Sequence, residues 1–300
     1  MTHDHNHAAV SHNRAFAIGI GLNVSFIMIE VVFGILANSL ALLADAGHNL
    51  GDVLGLLLAW GASYLATRRP TARRTYGLRR SSILAALANA LLLLIAVGAI
   101  AWEAIGRLLH PDPVSGMTVI IVAAAGVVIN GVTALLFMSG RHHDLNIRAA
   151  FLHMAADAAV SLGVVVAGII IAMTAWEWLD PAVSLVLALV ITAGTWSLLR
   201  QSIDLSMDAV PDGIDSPGVR AFLAELPGVV EVHDLHIWGM STTETALTVH
   251  LVKPSATVDD DWLAQVGKEL HDRFHIEHAT IQVECGQSAE RCKLAPDDVV

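Results

Sequence analysis

Two copies of the pattern His-x-x-x-Asp lie in apolar stretches of this chain. His48 and Asp52 occur in the segment DAGHNLGD. His153 and Asp157 occur in the segment FLHMAAD. Residues four apart lie on one face of an α-helix, so each pair can reach a single point. Two such helices side by side would supply two imidazoles and two carboxylates to one ion.

This set of side chains suits a tetrahedral, borderline-soft cation. Zn²⁺ binds imidazole nitrogen and carboxylate oxygen in proteins, whereas Ca²⁺ and Mg²⁺ prefer oxygen-rich shells. The alternative is a set of buried polar residues that hold helices together. Ionisable groups at membrane depth are costly and usually mark ion pathways, and the repetition of the pair favours a metal site. We therefore expect Zn²⁺ as the leading ion, with Co²⁺, Cd²⁺ and Ni²⁺ left open.

The stretches around these pairs are long and apolar enough to cross a membrane. Of the 300 residues, 55% are hydrophobic and 15% are charged, which exceeds the apolar content of ordinary soluble proteins. A transmembrane helix needs roughly 20 apolar residues. Six stretches meet this length: 15–37, 40–67, 82–108, 117–138, 149–176 and 181–199. We therefore predict a six-helix transmembrane domain over 15–203, after a His-rich tail at 1–14.

Arginines in the short connections predict the orientation of the helices, because basic loops stay on the cytoplasmic side. With a cytoplasmic N-terminus, ten arginines fall on the inner side: Arg14, Arg68, Arg69, Arg73, Arg74, Arg79, Arg80, Arg141, Arg148 and Arg200. The outer connections hold only Arg107. We therefore expect a multi-pass protein of the inner cell membrane with both termini in the cytoplasm.

The last hundred residues have the pattern of a soluble domain. The pattern predicts a helix, two strands, a helix and a strand, at 216–228, 229–238, 245–253, 259–274 and 279–284. Alternation in TALTVHLV predicts that Leu247, Val249 and Leu251 share a buried face. We therefore expect a cytoplasmic α-β-β-α-β domain over 204–300, of the ferredoxin-like or metallochaperone-like kind, which ends in a loose tail from Gly286.

The charge of the chain is concentrated in this domain. Residues 204–300 hold 18 acidic and 6 basic side chains, against 10 and 11 in residues 1–203. An acidic domain repels phosphates, so the composition excludes a nucleic-acid partner. The chain has only two cysteines, Cys285 and Cys292, so it has no disulfide framework. These thiols either join a metal site in the tail as soft ligands or are simply reduced.

Five segments together resemble the cation diffusion facilitators, in their zinc-transporting, bacterial zinc/cobalt/cadmium efflux branch. They are LALLADAGHNLGDV, RRTYGLRRSSILAALANA, FLHMAADAAVSLGVV, HDLHIW and ATIQVE. The resemblance covers about residues 16–284. It implies a homodimeric cation/proton antiporter, not an enzyme, with the transport ligands at His48, Asp52, His153 and Asp157. Because both pairs are His and Asp rather than two Asp, the resemblance also implies a preference for zinc over cadmium.

The resemblance also implies a metal site in the cytoplasmic domain, near the dimer contact. Its ligands would be His233, His250 and Glu284, which the alternation assigns to the strand face opposite the apolar one. Asp260 is a weaker candidate, and His236, on the other face, has a structural role in this interpretation. The alternative is three solvated strand residues.

Other polar residues have less definite interpretations. Some relatives bind metal between helices two and three through histidines that flank Phe-Gly, but this chain has RTYGL there, so we expect no such site. The remaining histidines either deliver metal weakly or have no definite role: His3, His5, His7, His12, His142 and His143. Asn23, Glu30 and Asp45 support the metal ligands or pack helices together.

The ligand chemistry predicts a mechanism. A histidine must be neutral and an aspartate ionised to bind Zn²⁺, so metal binding displaces protons and proton return ejects the metal. Proton-coupled efflux follows. The alternatives are a membrane-embedded metal-dependent hydrolase, for which no separate general base or nucleophile is evident, and a metal sensor, which would not need ligands at bilayer depth.

Overall fold

The computed structural model describes residues 9–138, 145–254 and 260–285 together with Cys292. Six long helices come first: α1 Ala9–Leu36, α2 Leu40–Ala66, α3 Ser81–Leu109, α4 Gly116–Met138, α5 Leu145–Thr174 and α6 Leu179–Ser206. α6 continues past the predicted end at 199, because the polar sequence RQSIDLS extends the helix after the apolar run has stopped. A short turn separates α1 from α2 at the predicted break. Asn38 in this turn has a positive φ of 55°.

Four helical segments within the described residues are long and apolar enough to cross a membrane: α3, Gly116–Leu136 of α4, Phe151–Thr174 of α5, and α6. α1 adds the shorter apolar segment Asn23–Leu36. α2 is as long as its neighbours and carries the polar residues Asp45, His48 and Asp52. The chain thus has a helical transmembrane domain, and the number of six spans stays a prediction.

The start of α2 is held by a side chain from α6. The Asp180 carboxylate accepts hydrogen bonds from the Ser39 hydroxyl at 2.5 Å and from the Leu40 backbone N–H at 2.7 Å. The first backbone N–H groups of a helix have no partner within the helix, and a carboxylate there also interacts favourably with the helix dipole. Asp180 therefore fixes the N-terminal end of the helix that carries His48 and Asp52.

Small residues bring α4 close to its neighbours. A Cβ atom added at Gly126 would lie 2.7 Å from Phe26 Cζ on α1 and 2.9 Å from the Ser161 hydroxyl on α5. A Cβ at Gly168 of α5 would lie 3.2 Å from the backbone nitrogen of Ile120 on α4. Membrane helices use such small residues to pack backbone against backbone. This packing sets the position of α5, which carries the second pair of candidate ligands.

The C-terminal elements follow the predicted α-β-β-α-β order. They are α7 Ser216–Ala224, β1 Glu231–Gly239, β2 Thr245–Val252, α8 Asp260–Phe274 and β3 His278–Glu284. β2 lies in the middle of the sheet, antiparallel to β1 and parallel to β3. α7 ends earlier than predicted, because Pro227 cannot donate a helical hydrogen bond and disfavours helical geometry in the residue before it.

The core of this region confirms the predicted alternation along β2. Leu247, Val249 and Leu251 are buried on one face of the sheet. Leu223 of α7 and Leu270 of α8 pack in the same cluster, so both helices cover that face. The predicted small sheet backed by two helices is confirmed.

The chain divides into two compact units. The first lies within residues 1–57 and 89–196, and the second within residues 58–88 and 197–300. The apolar core of the transmembrane helices lies in the first unit and the core around the sheet in the second. The predicted domain limits at 15, 203 and 204 stay predictions.

Candidate metal centre

The four predicted transport ligands lie together between α2 and α5. His153 Nε2 lies 3.2 Å from Asp52 Oδ2, and His48 Nε2 lies 3.3 Å from Asp157 Oδ1. Both contacts cross from one helix to the other. Within each helix the i,i+4 spacing keeps the two side chains of a pair adjacent: His153 Nε2 to Asp157 Oδ2 is 3.7 Å and His48 Nδ1 to Asp52 Oδ2 is 4.0 Å.

These separations are those that a tetrahedral ion needs. Zinc binds nitrogen and oxygen at about 2.0–2.1 Å, and ligands at the corners of a tetrahedron are then about 3.3–3.4 Å apart. The two cross-helix distances match this value, and the two pairs within a helix are slightly longer. The ligand atoms of Asp52, His153 and Asp157 all lie within 4.8 Å of one another, and His48 joins them through Asp157.

The two carboxylates are incompletely paired. Asp52 Oδ2 and Asp157 Oδ2 are buried and make no hydrogen bond of normal geometry within the described residues. The Asp157 side chain is only 3% exposed, while that of His153 is 43% exposed. Buried acceptors of this kind are costly unless a donor or a cation meets them. The residues present therefore fit a divalent cation.

Glycines on α2 let α3 lie close to the ligand-bearing helix. A Cβ atom at Gly51 would lie 2.9 Å from Leu93 Cδ2 of α3, and one at Gly55 would lie 3.1 Å from the Asn89 amide nitrogen. Gly51 and Gly55 each follow a ligand of α2 by three residues, so the glycines form a strip directly beside the ligands on the helix surface. The sequence therefore lets α2 pack on α3 while its His and Asp side chains meet α5.

Polar residues near the ligands bond to each other. Asn49 Nδ2 donates to Glu30 Oε2 at 3.2 Å, and the Ser161 hydroxyl donates to Asp45 Oδ2 at 3.1 Å. Support or packing is the predicted role of Glu30 and Asp45, whereas Asn49 and Ser161 were not predicted. The spacing held a signal, because Ser161 follows Asp157 by one helical turn.

In the cytoplasmic region, His233, His250 and Glu284 come from three adjacent strands. His250 Nδ1 lies 3.1 Å from Glu284 Oε1, and His233 Nε2 lies 3.5 Å from the same oxygen. The rings of the two histidines pack edge to face, with centroids 5.3 Å apart. Cys292 Sγ lies 3.7 Å from His250 Nδ1, and the four ligand atoms lie within 4.8 Å of one another. The donor set fits a borderline-soft cation.

The alternative of three solvated strand residues does not hold for His233. Its side chain is only 3% exposed, because the His250 ring packs against it and the carboxylates of Glu231 and Glu284 lie 3.7 and 3.5 Å from its two ring nitrogens. Both nitrogens lack a hydrogen bond of normal geometry within the described residues. Strand alternation predicts which face a side chain occupies but not what covers that face.

The other predicted residues are less involved. Asp260 begins α8 and is not part of the four-residue cluster. His236 Nε2 lies 2.9 Å from Asp234 Oδ1, and Cys285 is exposed. The RTYGL segment forms turns, with Gly77 at a φ of 71°. The following lie outside the described residues: His3, His5, His7, His142, His143 and the side chain of His12.

Comparison with known proteins places both parts of the chain in one family. Residues 16–205 match the cation efflux transmembrane domain, and residues 211–285 match the cytoplasmic domain of cation efflux proteins. The metal cation efflux system protein CzcD of Cupriavidus metallidurans is 36% identical over 283 residues, which covers 94% of this chain and 89% of the relative. The zinc transporter ZitB of Escherichia coli is 36% identical over 291 residues, which covers 95% and 93%.

A third relative is the cadmium, cobalt and zinc/H(+)-K(+) antiporter of Bacillus subtilis, 33% identical over 289 residues that cover 95% of this chain and 92% of the relative. Among solved structures, the metal-bound C-terminal domain of the Cupriavidus metallidurans CzcD transporter is 37% identical; it covers 24% of this chain and 99% of that chain, with a TM-score of 0.22. Because the two family matches span most of its length, the chain belongs to the cation efflux family.

Proposed function

We propose that this chain exports divalent transition-metal cations, foremost Zn²⁺, from the cytoplasm in exchange for protons. The observation that carries the proposal is the pair of cross-helix contacts, His153 to Asp52 and His48 to Asp157, inside a helical membrane domain. Two imidazoles and two carboxylates at tetrahedral spacing suit Zn²⁺, with Cd²⁺, Co²⁺ and Ni²⁺ as further candidates.

The names of the relatives agree with this cargo. One is named a zinc transporter, and another an antiporter of cadmium, cobalt and zinc against H⁺ and K⁺. The relatives are named as efflux proteins or transporters rather than enzymes. These names support efflux of zinc-like ions by a multi-pass membrane protein, and no observation favours a hydrolase or a sensor.

Proton coupling follows from the ligands themselves. The imidazoles of His48 and His153 must be neutral to bind metal, and the carboxylates of Asp52 and Asp157 must be ionised. Protons that arrive from an acidic exterior compete for the same atoms and favour release of the ion. Because the site joins α2 to α5, a change in how these helices pack against the others can open it to one side of the membrane at a time.

We further propose that the protein works as a homodimer in the inner membrane, with both termini in the cytoplasm. The arginine-rich inner connections support this orientation. His233, His250 and Glu284 would then form a cytoplasmic metal site that regulates transport or stabilises the dimer, with Cys292 as a soft fourth ligand.

Transport in sealed vesicles tests the proposal. The purified protein is placed in liposomes that contain a zinc-sensitive dye, and a pH gradient with an acidic interior is imposed. We expect zinc to accumulate inside and accumulation to stop when an ionophore collapses the gradient. Zinc that does not move under any gradient would overturn the proposal. A zinc flux that ignores the pH gradient would overturn proton coupling.

A further inference from the structure

Glu30 and Asp45 form a pair of buried carboxyl groups that the proposed transport mechanism does not use. Glu30 lies on α1 and Asp45 on α2, and both side chains are almost completely buried. The two carboxyl groups lie within hydrogen-bonding reach of each other. A hydrogen bond between two carboxyl groups requires a proton on one of them, since two carboxylates have no hydrogen to donate.

The donors around the pair account for the other oxygens. Asn49 donates to Glu30 Oε2 and Ser161 donates to Asp45 Oδ2. No N–H or O–H of the described residues donates to Glu30 Oε1, although this atom is buried. A proton on the Glu30 carboxyl group leaves this oxygen less costly to bury than that of a carboxylate. It also removes one of two like charges that would otherwise be buried side by side.

The surroundings offer no permanent positive charge to replace that proton. Within the described residues, no salt bridge joins Glu30 or Asp45 to a lysine or arginine, so the pair lacks a basic partner that would hold both carboxylates ionised. The titratable groups whose charges act on the pair are His48 on α2 and Asp157 on α5. α4, which also packs on α1, contains no titratable residue.

The pair is connected to the metal centre through the helices that carry the ligands. Asp45 precedes His48 by about one turn of α2, and Asn49 directly follows His48. Ser161 follows Asp157 by about one turn of α5. A divalent cation at the metal centre adds positive charge in the same low-dielectric interior, and a nearby positive charge favours the ionised form of a carboxyl group.

We propose that Glu30 and Asp45 form a second proton-binding site, separate from the metal ligands, which releases its proton when the metal centre is filled. This inference rests on the proposed function and deepens it, because it names a proton carrier that is not displaced by direct coordination. The proton leaves the carboxyl–carboxyl hydrogen bond as the ion arrives and returns as the ion departs.

Proton release during zinc binding tests the inference without any transport. Purified full-length protein in weakly buffered detergent is titrated with Zn²⁺ in the presence of a pH indicator. Glu30→Gln keeps the size of the side chain and its hydrogen bond to Asp45 but has no acidic proton. We expect this variant to release about one proton fewer per zinc than the parent. Glu103→Gln, on α3, is the matched control and should release the parent number.

The pH dependence of zinc affinity gives a second readout. Affinity rises with pH in every protein whose ligands release protons, and it should rise less steeply in Glu30→Gln. Over the range in which the pair titrates, we expect the affinity ratio of parent to variant to grow by about tenfold per pH unit. Equal proton release and equal pH dependence in the two proteins would overturn the inference, since a pair that only packs helices moves neither quantity.

Infrared difference spectroscopy of the parent covers the case in which Glu30→Gln fails to fold. Zinc binding should remove the carbonyl stretch of a protonated carboxylic acid, and Asp45→Asn should lack this change. A parent spectrum without such a loss would contradict the proposal. A fall in zinc bound per chain in Glu30→Gln would also overturn it, because the pair would then be a second metal site. Failure of zinc flux in the parent liposomes would instead count against the proposed function.

Discussion

His153 Nε2 on α5 lies 3.2 Å from Asp52 Oδ2 on α2, closer than it lies to Asp157, its partner on its own helix. The histidine of the other pair has the same preference, because His48 is closer to Asp157 than to Asp52. Each contact therefore joins a histidine of one helix to an aspartate of the other, and neither helix can make it alone. A site of this kind is sensitive to any change in how α2 packs on α5.

Each of the four ligands should be needed for transport. We expect zinc flux to fall by more than about 100-fold in each of four variants: His48→Ala, Asp52→Ala, His153→Ala and Asp157→Ala. Mutation of a residue that only hydrogen-bonds to a metal ligand already lowers metal affinity by about 10–100-fold. Zinc flux in liposomes and size-exclusion chromatography measure transport and folding separately. His110→Ala, an exposed histidine at the end of α3, is the control and should keep parental flux.

Normal flux in any two of the four variants would show that the ligands are assigned wrongly. Loss of flux with loss of the folded dimer would leave folding as the cause, and zinc binding to the folded fraction, measured by calorimetry, then decides the assignment.

An alanine in place of a glycine on α4 should lower stability at Gly126, where α4 packs closely against α1 and α5, but not at Gly131. In Gly126→Ala the new Cβ would meet Phe26 Cζ at 2.7 Å and the Ser161 hydroxyl at 2.9 Å. Overpacking of this kind costs about 1–3 kcal/mol. Gly131→Ala, on the same helix, meets nothing within 4 Å and is the matched control. Thermal unfolding in detergent should show a lower midpoint temperature for Gly126→Ala only. Equal midpoints in the two variants would mean that α4 shifts enough to accommodate the added methyl group.

The sequence predicts which residues share a helix face but not which helices touch. The i,i+4 spacing is enough to put His48 beside Asp52 and His153 beside Asp157. That α2 lies next to α5, and that the contacts cross between them, depends on how all the helices pack, including close approaches such as that of Gly168 on α5 to Ile120 on α4. Single-sequence periodicity carries no information on such neighbours.

The residues that sequence reasoning missed act through distant contacts. The sequence pattern assigns no role to Asp180, but its carboxylate caps α2 from the start of α6. His233 is predicted on the face opposite the apolar one, and its burial comes from His250 and Glu284 on the two other strands together with Glu231 on its own strand. Local patterns predict elements and faces, whereas caps and burial depend on tertiary packing.

Selectivity should follow the type of ligand atom. Replacing an imidazole with a carboxylate, as in His48→Asp or His153→Asp, makes the shell richer in oxygen and harder. We expect both variants to discriminate less against Cd²⁺ and Mn²⁺ than the parent does. The ratio of initial zinc and cadmium rates in liposomes measures this. Unaltered ratios in both variants would mean that ligand type does not set selectivity, and that the space between α2 and α5 does.

The cytoplasmic cluster should tune transport without being essential. His233, His250 and Glu284 converge within the sheet region, whose domain, residues 204–300, holds 18 acidic and 6 basic side chains. A cation there offsets repulsion between two like-charged copies in a dimer, and so favours the paired state. The shift is limited by the difference in metal affinity between the paired and separated states.

Removal of His233, His250 and Glu284 together should therefore lower zinc transport or raise the metal concentration that it requires, while the membrane ligands keep transport going. His236→Ala, a histidine on β1 outside the cluster, is the control. Transport in liposomes is measured together with the distance between spin labels on the two cytoplasmic domains. We expect added zinc to shorten this distance in the parent and in the control but not in the triple variant. If zinc still draws the two domains of the triple variant together as in the parent, the regulatory metal binds elsewhere.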